Sequence, residues 1–344
     1  VRAVVFDAYG QPPEVREVPE PDCPPGAVVV AVRATGVCRS DWHAWRGHDP
    51  VTLPHVPGHE LAGEVVRVGE GVRRVAVGDR VTVPFVCGCG ACELCLAGDA
   101  QVCPAQYQPG FTGPGSFAEQ VMVPAADTNV VRLPDALGFV EAAALGCRFA
   151  TAFRAVQAHG RVREGQWLAV WGCGGAGLSA VMVGRALGAR IVAVDVSAAA
   201  LEQATRLGAE LAVDAGDLEA AVQQVRTATG GGVHVGIDAI GAPAVAAASV
   251  RSLRRRGRHV QVGLLLGEHA LTALPMDLVV AHELEVIGSH GMAAADYPAM
   301  LDLVTGGRLD PRALVARVIG LDEAGAALAA MDRPGPPGLT VVEV

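Results

Sequence analysis

Gly36-Val37-Cys38-Arg39-Ser40-Asp41-Trp42-His43 is followed, fifteen positions after His43, by Gly58-His59-Glu60. The Cys38 thiolate and the His59 imidazole are good ligands for a borderline-soft ion such as zinc. Asp41 and Glu60 are carboxylates of the kind that orient a ligating imidazole and tune its metal. Ser40 and His43 add a hydroxyl and a titratable ring, the parts of a short proton relay. Each residue alone would read as an ordinary polar loop position; the set in this order points to a metal-assisted site.

Around that stretch the chain has the bulk of two domains, with 344 residues of which 51% are hydrophobic, and a mean hydropathy of +0.35 that excludes a disordered polymer. No run approaches the roughly 18 apolar residues of a spanning helix. Val1-Arg2-Ala3-Val4-Val5-Phe6 reads as a strand rather than a leader, so a cytoplasmic location is expected. A net charge of -9 argues against nucleic acid or an anionic membrane as the main partner. All 27 basic residues are arginine, and their densest run, Arg251 to Arg258, is expected where a helix ends before a strand. Nine cysteines without an export signal point to metal or catalysis rather than disulfides.

Short strand-like runs with frequent Gly and Pro, at Arg2–Asp7, Val15–Val18, Ala27–Thr35, Glu64–Val68, Asp79–Pro84 and Ser116–Val123, predict an irregular β domain. Between them lies Cys89-x2-Cys92-x2-Cys95-x7-Cys103, a spacing that can wrap four thiolates around one tetrahedral ion and close it off from water. An iron–sulfur cluster or a redox pair is the weaker alternative. Cys147 stands alone before a long helical stretch, where a small buried thiol is the commonest fate. Trp42, Trp45, Phe85 and Met292 either line a substrate channel or fill core, the usual place for such side chains.

From Gln166 the pattern changes to alternating strand and helix. Trp167–Trp171 runs into Gly172-Cys173-Gly174-Gly175-Ala176-Gly177 and then a helix. The glycines Gly172, Gly174, Gly175 and Gly177, with Ala176, let backbone amides approach a pyrophosphate at a helix N-terminus. A second strand ends at Asp195, eighteen residues after Gly177. That acid is placed to accept hydrogen bonds from ribose hydroxyls, and the residues directly behind it, Val196, Ser197, Ala198 and Ala199, offer no arginine to neutralise a 2′-phosphate, so NAD is preferred over NADP. About six parallel strands are expected, with Ile240, Val262, Gly263 and Leu264 at strand C-ends where such sheets bind ligands.

These motifs together resemble the zinc-dependent medium-chain alcohol dehydrogenases, over essentially the whole chain. The resemblance implies a chaperonin-10-like (GroES-like) catalytic barrel at 1–147 with a structural-zinc lobe at 87–103. It also implies a Rossmann NAD-binding domain at 148–287 and a segment at 288–344 that returns to the barrel. Cys38, His59 and Cys147 match the family's catalytic zinc ligands, and Cys89, Cys92, Cys95 and Cys103 its structural ones, two zinc ions per chain. Ser40 and His43 match its relay, Asp41 and Glu60 the groups behind the metal, Arg39 a pyrophosphate contact and Thr151 a nicotinamide contact. The reaction implied is reversible oxidation of a primary or secondary alcohol to an aldehyde or ketone by hydride transfer to NAD, in a homo-oligomer for which relatives favour a tetramer and a dimer is the alternative. Polyol, threonine and formaldehyde dehydrogenases of the superfamily are alternatives, as is a non-catalytic protein on the same fold. In polyol dehydrogenases an acid commonly stands at the Cys147 position. One departure is Gly338-Leu339-Thr340, where relatives often carry an arginine that reaches the cofactor.

Overall fold

The computed structural model describes residues 1–333, 335 and 337–344, and the chain divides into two compact units. One comprises Val1–Ala150 with 291–335 and Leu339–Val344; the other is built on Thr151–His290.

The first unit opens with an antiparallel pair, β1 (Arg2–Val5) and β2 (Glu14–Glu17). Its backbone is β3 (Val28–Val37), ten residues long and buried at most positions, as its valine-rich run requires. A short helix α1 (Arg39–Trp45) follows directly. Strands β4 (Leu61–Val68) and β5 (Arg80–Thr82) come next, then α2 (Glu93–Leu96), β6 (Gln120–Val123), α3 (Ala126–Asn129), β7 (Val131–Arg132) and α4 (Phe139–Ala144). β3 pairs antiparallel with β4 and with β6, so one strand organises both flanks. Val28, Val30, Leu61, Val65, Val81 and Val121 fill the space this creates.

Helix α5 (Cys147–Arg154) carries the chain into the second unit. There β8 (Trp167–Trp171), α6 (Gly175–Ala186), β9 (Arg190–Asp195), α7 (Ala198–Arg206), β10 (Leu211–Asp214) and α8 (Leu218–Ala228) alternate, then β11 (Val233–Asp238), α9 (Pro243–Arg251), β12 (Leu253–Gln261), α10 (Met276–Ala281) and β13 (Glu285–Gly288). All six strands are parallel, in the order β10-β9-β8-β11-β12-β13. This doubly wound order has its reversal point between β8 and β11, both fully or nearly fully buried, which is where such sheets open a ligand crevice. The arginine run lies where α9 ends and β12 begins, as expected: Arg251 closes the helix, and Arg254, Arg255 and Arg256 stand at the start of the strand with their side chains exposed.

The chain ends in α11 (Tyr297–Thr305), β14 (Val315–Gly320), α12 (Leu321–Ala329) and β15 (Leu339–Glu343). β15 lies antiparallel to β3, with Thr340 opposite Val37 and Val342 opposite Thr35. The last strand thus braces the one that delivers Cys38. Among the described residues no helix is long and apolar enough to cross a membrane.

Candidate active site

Cys38 sits at the joint between β3 and α1. Its backbone N–H donates to Asp41 Oδ2 (3.0 Å), which ties off the first turn of the helix. The other oxygen, Asp41 Oδ1, accepts from the Gly58 N–H (3.0 Å) and from His59 Nδ1 (2.8 Å). Asp41 and His59 are buried. With Nδ1 holding the proton, His59 Nε2 is left as a bare lone pair, and it is a buried atom without a hydrogen-bond partner. A buried unpaired nitrogen is costly unless a ligand completes it. The sulfurs of Cys38 and Cys147, His59 and a Glu60 oxygen all lie within 4.8 Å of one another. Two soft sulfurs beside an orphaned imidazole nitrogen fit zinc in a Cys2His set, the donor set of catalytic zinc in alcohol dehydrogenases, which keeps a fourth position open.

The electrostatics suit a cation. A hydrogen bond from the Cys147 thiol holds Cys38 well below the ordinary thiol range; burial opposes this, while the charges of Arg148 and His59 assist it. Cys147 is pushed up in turn by donating to Cys38 and by burial. Burial disfavours the charged form of His59, but Asp41 and the Cys38 sulfur raise it well above the usual histidine value. A metal ion entering here displaces these shared protons, so its binding is favoured by rising pH.

Glu60 is held by a residue without a local sequence signature. The Arg148 backbone N–H and Nε both donate to Glu60 Oε1 (3.0 Å each), and Nη2 donates to Oε2. Burial raises the Glu60 carboxyl and the Arg148 charge partly offsets it. A Cβ on Gly36 would overlap Glu60 Oε2, and one on Gly146 would press into the Glu60 side chain. Those two glycines, each just ahead of a cysteine in the sequence, are the one legible sign of the crowding.

Ser40 Oγ lies 3.8 Å from Cys38 Sγ, and His43 stands on the next part of the same helix, half-buried. Burial and the charges of His48 and Arg39 pull His43 down, against Cys38 and Asp49. Arg39 donates to the Met331 carbonyl (2.5 Å) and covers the Trp42 ring at 4.8 Å. Phe85 and the unforeseen Phe111 pack on the His59 ring at 6.1 and 5.1 Å. Trp45 and Met292 are core rather than channel.

The second cluster is the four-cysteine lobe. Cys89, Cys92, Cys95 and Cys103 bring their sulfurs within 4.8 Å of one another. Cys92–Cys103 is 3.7 Å and Cys89–Cys95 is 4.0 Å. A tetrahedron with Zn–S bonds of about 2.3 Å has edges of about 3.8 Å, so the donors already sit at ligating separations. The backbone N–H groups of Ala91 and Cys92 lower Cys89 to about 6. Cys87, outside the set, is pushed up to about 12 by burial.

In the second unit, Gly172 adopts φ +95°, open space surrounds the Cβ position of Gly174, and a Cβ at Gly177 would overlap the Gly172 carbonyl. Gly172 and Gly177 therefore admit no larger residue, and the open side of Gly174 leaves its backbone within reach of a ligand. Gly175, Ala176 and Gly177 form the first turn of α6. Such a cradle fits a pyrophosphate. Asp195 Oδ2 accepts from the Cys173 N–H (2.6 Å) and Oδ1 from the Ser197 N–H (2.8 Å), so the acid pins the glycine loop while each oxygen keeps a free lone pair. Asp238, which the sequence does not single out, accepts from the Ile240 and Gly241 N–H groups (2.8 and 3.0 Å) and from Gln261 (3.0 Å). It ties together the C-ends of β11 and β12, where Val262 and Gly263 are half-buried and Ile240 and Leu264 remain more than half exposed. Thr151 Oγ1 is buried without a hydrogen-bond partner.

Comparison with known proteins agrees with this geometry. The alcohol dehydrogenase GroES-like domain family matches residues 24–135, and the zinc-binding dehydrogenase family matches residues 175–306. An alcohol dehydrogenase of Geobacillus stearothermophilus is 36% identical over 312 residues, covering 90% of each chain. The solved alcohol dehydrogenase TADH from Thermus sp. ATN1 superposes with a TM-score of 0.92 at 31% identity, over 100% of both chains. A solved NAD-dependent alcohol dehydrogenase superposes with a TM-score of 0.88 at 31% identity, again over 100% of both.

Proposed function

This chain belongs to the zinc-binding alcohol dehydrogenases of the medium-chain superfamily, and from that membership we propose that it oxidises primary or secondary alcohols reversibly, with NAD as hydride acceptor. The observation that carries the reading is the convergence of Cys38, Cys147 and the orphaned His59 Nε2. Cys38, His59 and Cys147 would hold a zinc ion that would supply a Lewis acid for the substrate oxygen, and the glycine cradle would hold the NAD that would supply the hydride acceptor.

The chain's own residues do the rest. Asp41 fixes the His59 tautomer and orientation. Ser40 takes the alcohol proton and His43 receives it. The partial desolvation of His43 keeps its ring neutral and ready to accept a proton near neutral pH. Glu60 is held by Arg148, and one of its oxygens lies within 4.8 Å of the other three donors, from where it would assist ligand exchange at a bound zinc. Cys89, Cys92, Cys95 and Cys103 hold the second zinc, which is structural. Arg39 and Thr151 contact the cofactor, and Asp195 selects NAD by its charge. Cys147 favours the alcohol branch over the polyol branch.

We further propose a cytoplasmic homotetramer. Supporting self-association, the edge strand β13 carries Val286 at 43% exposure, and the preceding segment leaves Leu271 and Val280 at 98% and 76%. Kinetics with NAD across primary, secondary and aromatic alcohols test the activity. NADH formation with at least one class is expected; a metal-loaded protein inert on all of them, in both directions, would refute it.

A further inference from the structure

We propose that His48 extends the proton path, so that protons leave the active site through a pair of imidazoles rather than from His43 alone. The inference rests on the dehydrogenase reading above. His43 Nδ1 and His48 Nδ1 are 3.2 Å apart, so one nitrogen carries a proton and the other accepts it. His43 is half-buried and His48 is exposed, which gives the pair a direction from the site to water.

The arrangement is built rather than incidental. Gly47 adopts φ +75° immediately after α1, and its Cβ position is crowded by the Tyr9 ring at 3.0 Å. This left-handed turn folds the chain back, so that the His48 N–H donates to the His43 carbonyl (2.9 Å) and brings the rings together. Trp42 packs edge-on against both imidazoles, at 4.9 and 5.3 Å between ring centres, and its Nε1 is anchored to Asp332 (2.8 Å). The charged groups around the pair are Arg39 on the Trp42 face, Asp49 beside His48, and Asp332 with Arg46 at 3.5 Å.

The step balances as proton transfer only. A proton arriving at His43 Nε2 is matched by loss of the Nδ1 proton to His48 Nδ1. His48, now cationic, yields its Nε2 proton to bulk water and is left as the Nδ1–H tautomer, and exchange of one proton on each ring with water restores both starting tautomers before the next turnover. No electrons move within the pair.

The test uses zinc-loaded enzyme and stopped-flow detection of both NADH and the released proton with a pH indicator. His48→Gln should slow proton release by about tenfold, a modest loss because water partly replaces the exposed ring. NADH affinity should be unchanged, and added imidazole should restore the rate. A second readout needs no turnover: the titration of His48, followed by heteronuclear NMR, should shift when His43 is replaced by Gln. Proton release at the wild-type rate in His48→Gln, a loss that imidazole leaves unrepaired, or a His48 titration indifferent to His43 would each overturn the inference. Failure of the underlying dehydrogenase reading is distinguishable, because then the wild-type enzyme itself would form no NADH.

Discussion

Asp41 shows how a single residue decides what its neighbours can do. Its two oxygens take three N–H donors, and the outcome is a His59 that offers only Nε2 to the space shared with Cys38 and Cys147. Replacing Cys38 by Ser removes a soft ligand and the thiolate charge that pairs with His59. Turnover should fall by at least about 10³-fold, the scale on which single electrostatic groups act in catalysis, while NADH titration remains that of the wild type. Undiminished turnover in zinc-free Cys38→Ser would exclude the chemistry. The proposed role of Asp195 in choosing NAD predicts that Asp195→Ala relaxes discrimination against NADP; an unchanged ratio of kcat/KM for the two cofactors would remove Asp195 from cofactor selection. Cys38, His59 and the four-cysteine spacing are legible in the sequence because soft ligands are rare and their spacing is short-range. Arg148 and Asp238 are not, since an ion pair between Glu60 and a residue 88 positions away leaves no local pattern.

Elements differ in how plainly the sequence writes them. Helix α1 is hard to foresee, because Cys38 is not a residue type that usually caps a helix and the segment is only seven residues long. β14 escapes because its residues are mostly exposed at a sheet edge, and the start of β12 because arginines occupy it. The long apolar strands and the glycine turn before α6 are readable, since burial on both faces writes an unbroken hydrophobic run. At this scale the Glu60–Arg148 pair joins β3, β4 and α5, being 1% and 12% exposed at its side chains. Arg148→Leu leaves a buried carboxylate uncompensated and should cost about 3–5 kcal/mol in urea denaturation. Loss of the exposed Arg206–Glu202 pair on α7 should cost about 0.3–0.5 kcal/mol, so equal effects would contradict the assignment. On β12, burial depresses the pKa of His259, whose ring is bonded to Ser249 (2.9 Å) and Gln261 (3.0 Å). Below about 6.5 the unfolded chain binds a proton that the folded histidine refuses, so stability falls as pH falls through that range. His259→Asn should flatten this slope when denaturation midpoints are compared on either side of about pH 6.5. An unaltered slope would show that other groups carry it.

For the whole molecule, the first unit concentrates two metal-binding sets and the second a nucleotide cradle, each built by the topology proper to it. The last strand, β15, returns to β3 and supports the residues that lead into Cys38. Ligands drawn from positions 38, 59 and 147 share one locus only because β3, the turn before β4 and the start of α5 meet there. Anomalous diffraction at the zinc absorption edge, on crystals of the intact chain, tests that meeting most directly. Two peaks are predicted per chain, one about 2.0–2.3 Å from Cys38 Sγ, His59 Nε2 and Cys147 Sγ, and one amid the four-cysteine lobe. A zinc-replete crystal with density at the lobe and none between Cys38, His59 and Cys147 would contradict the account.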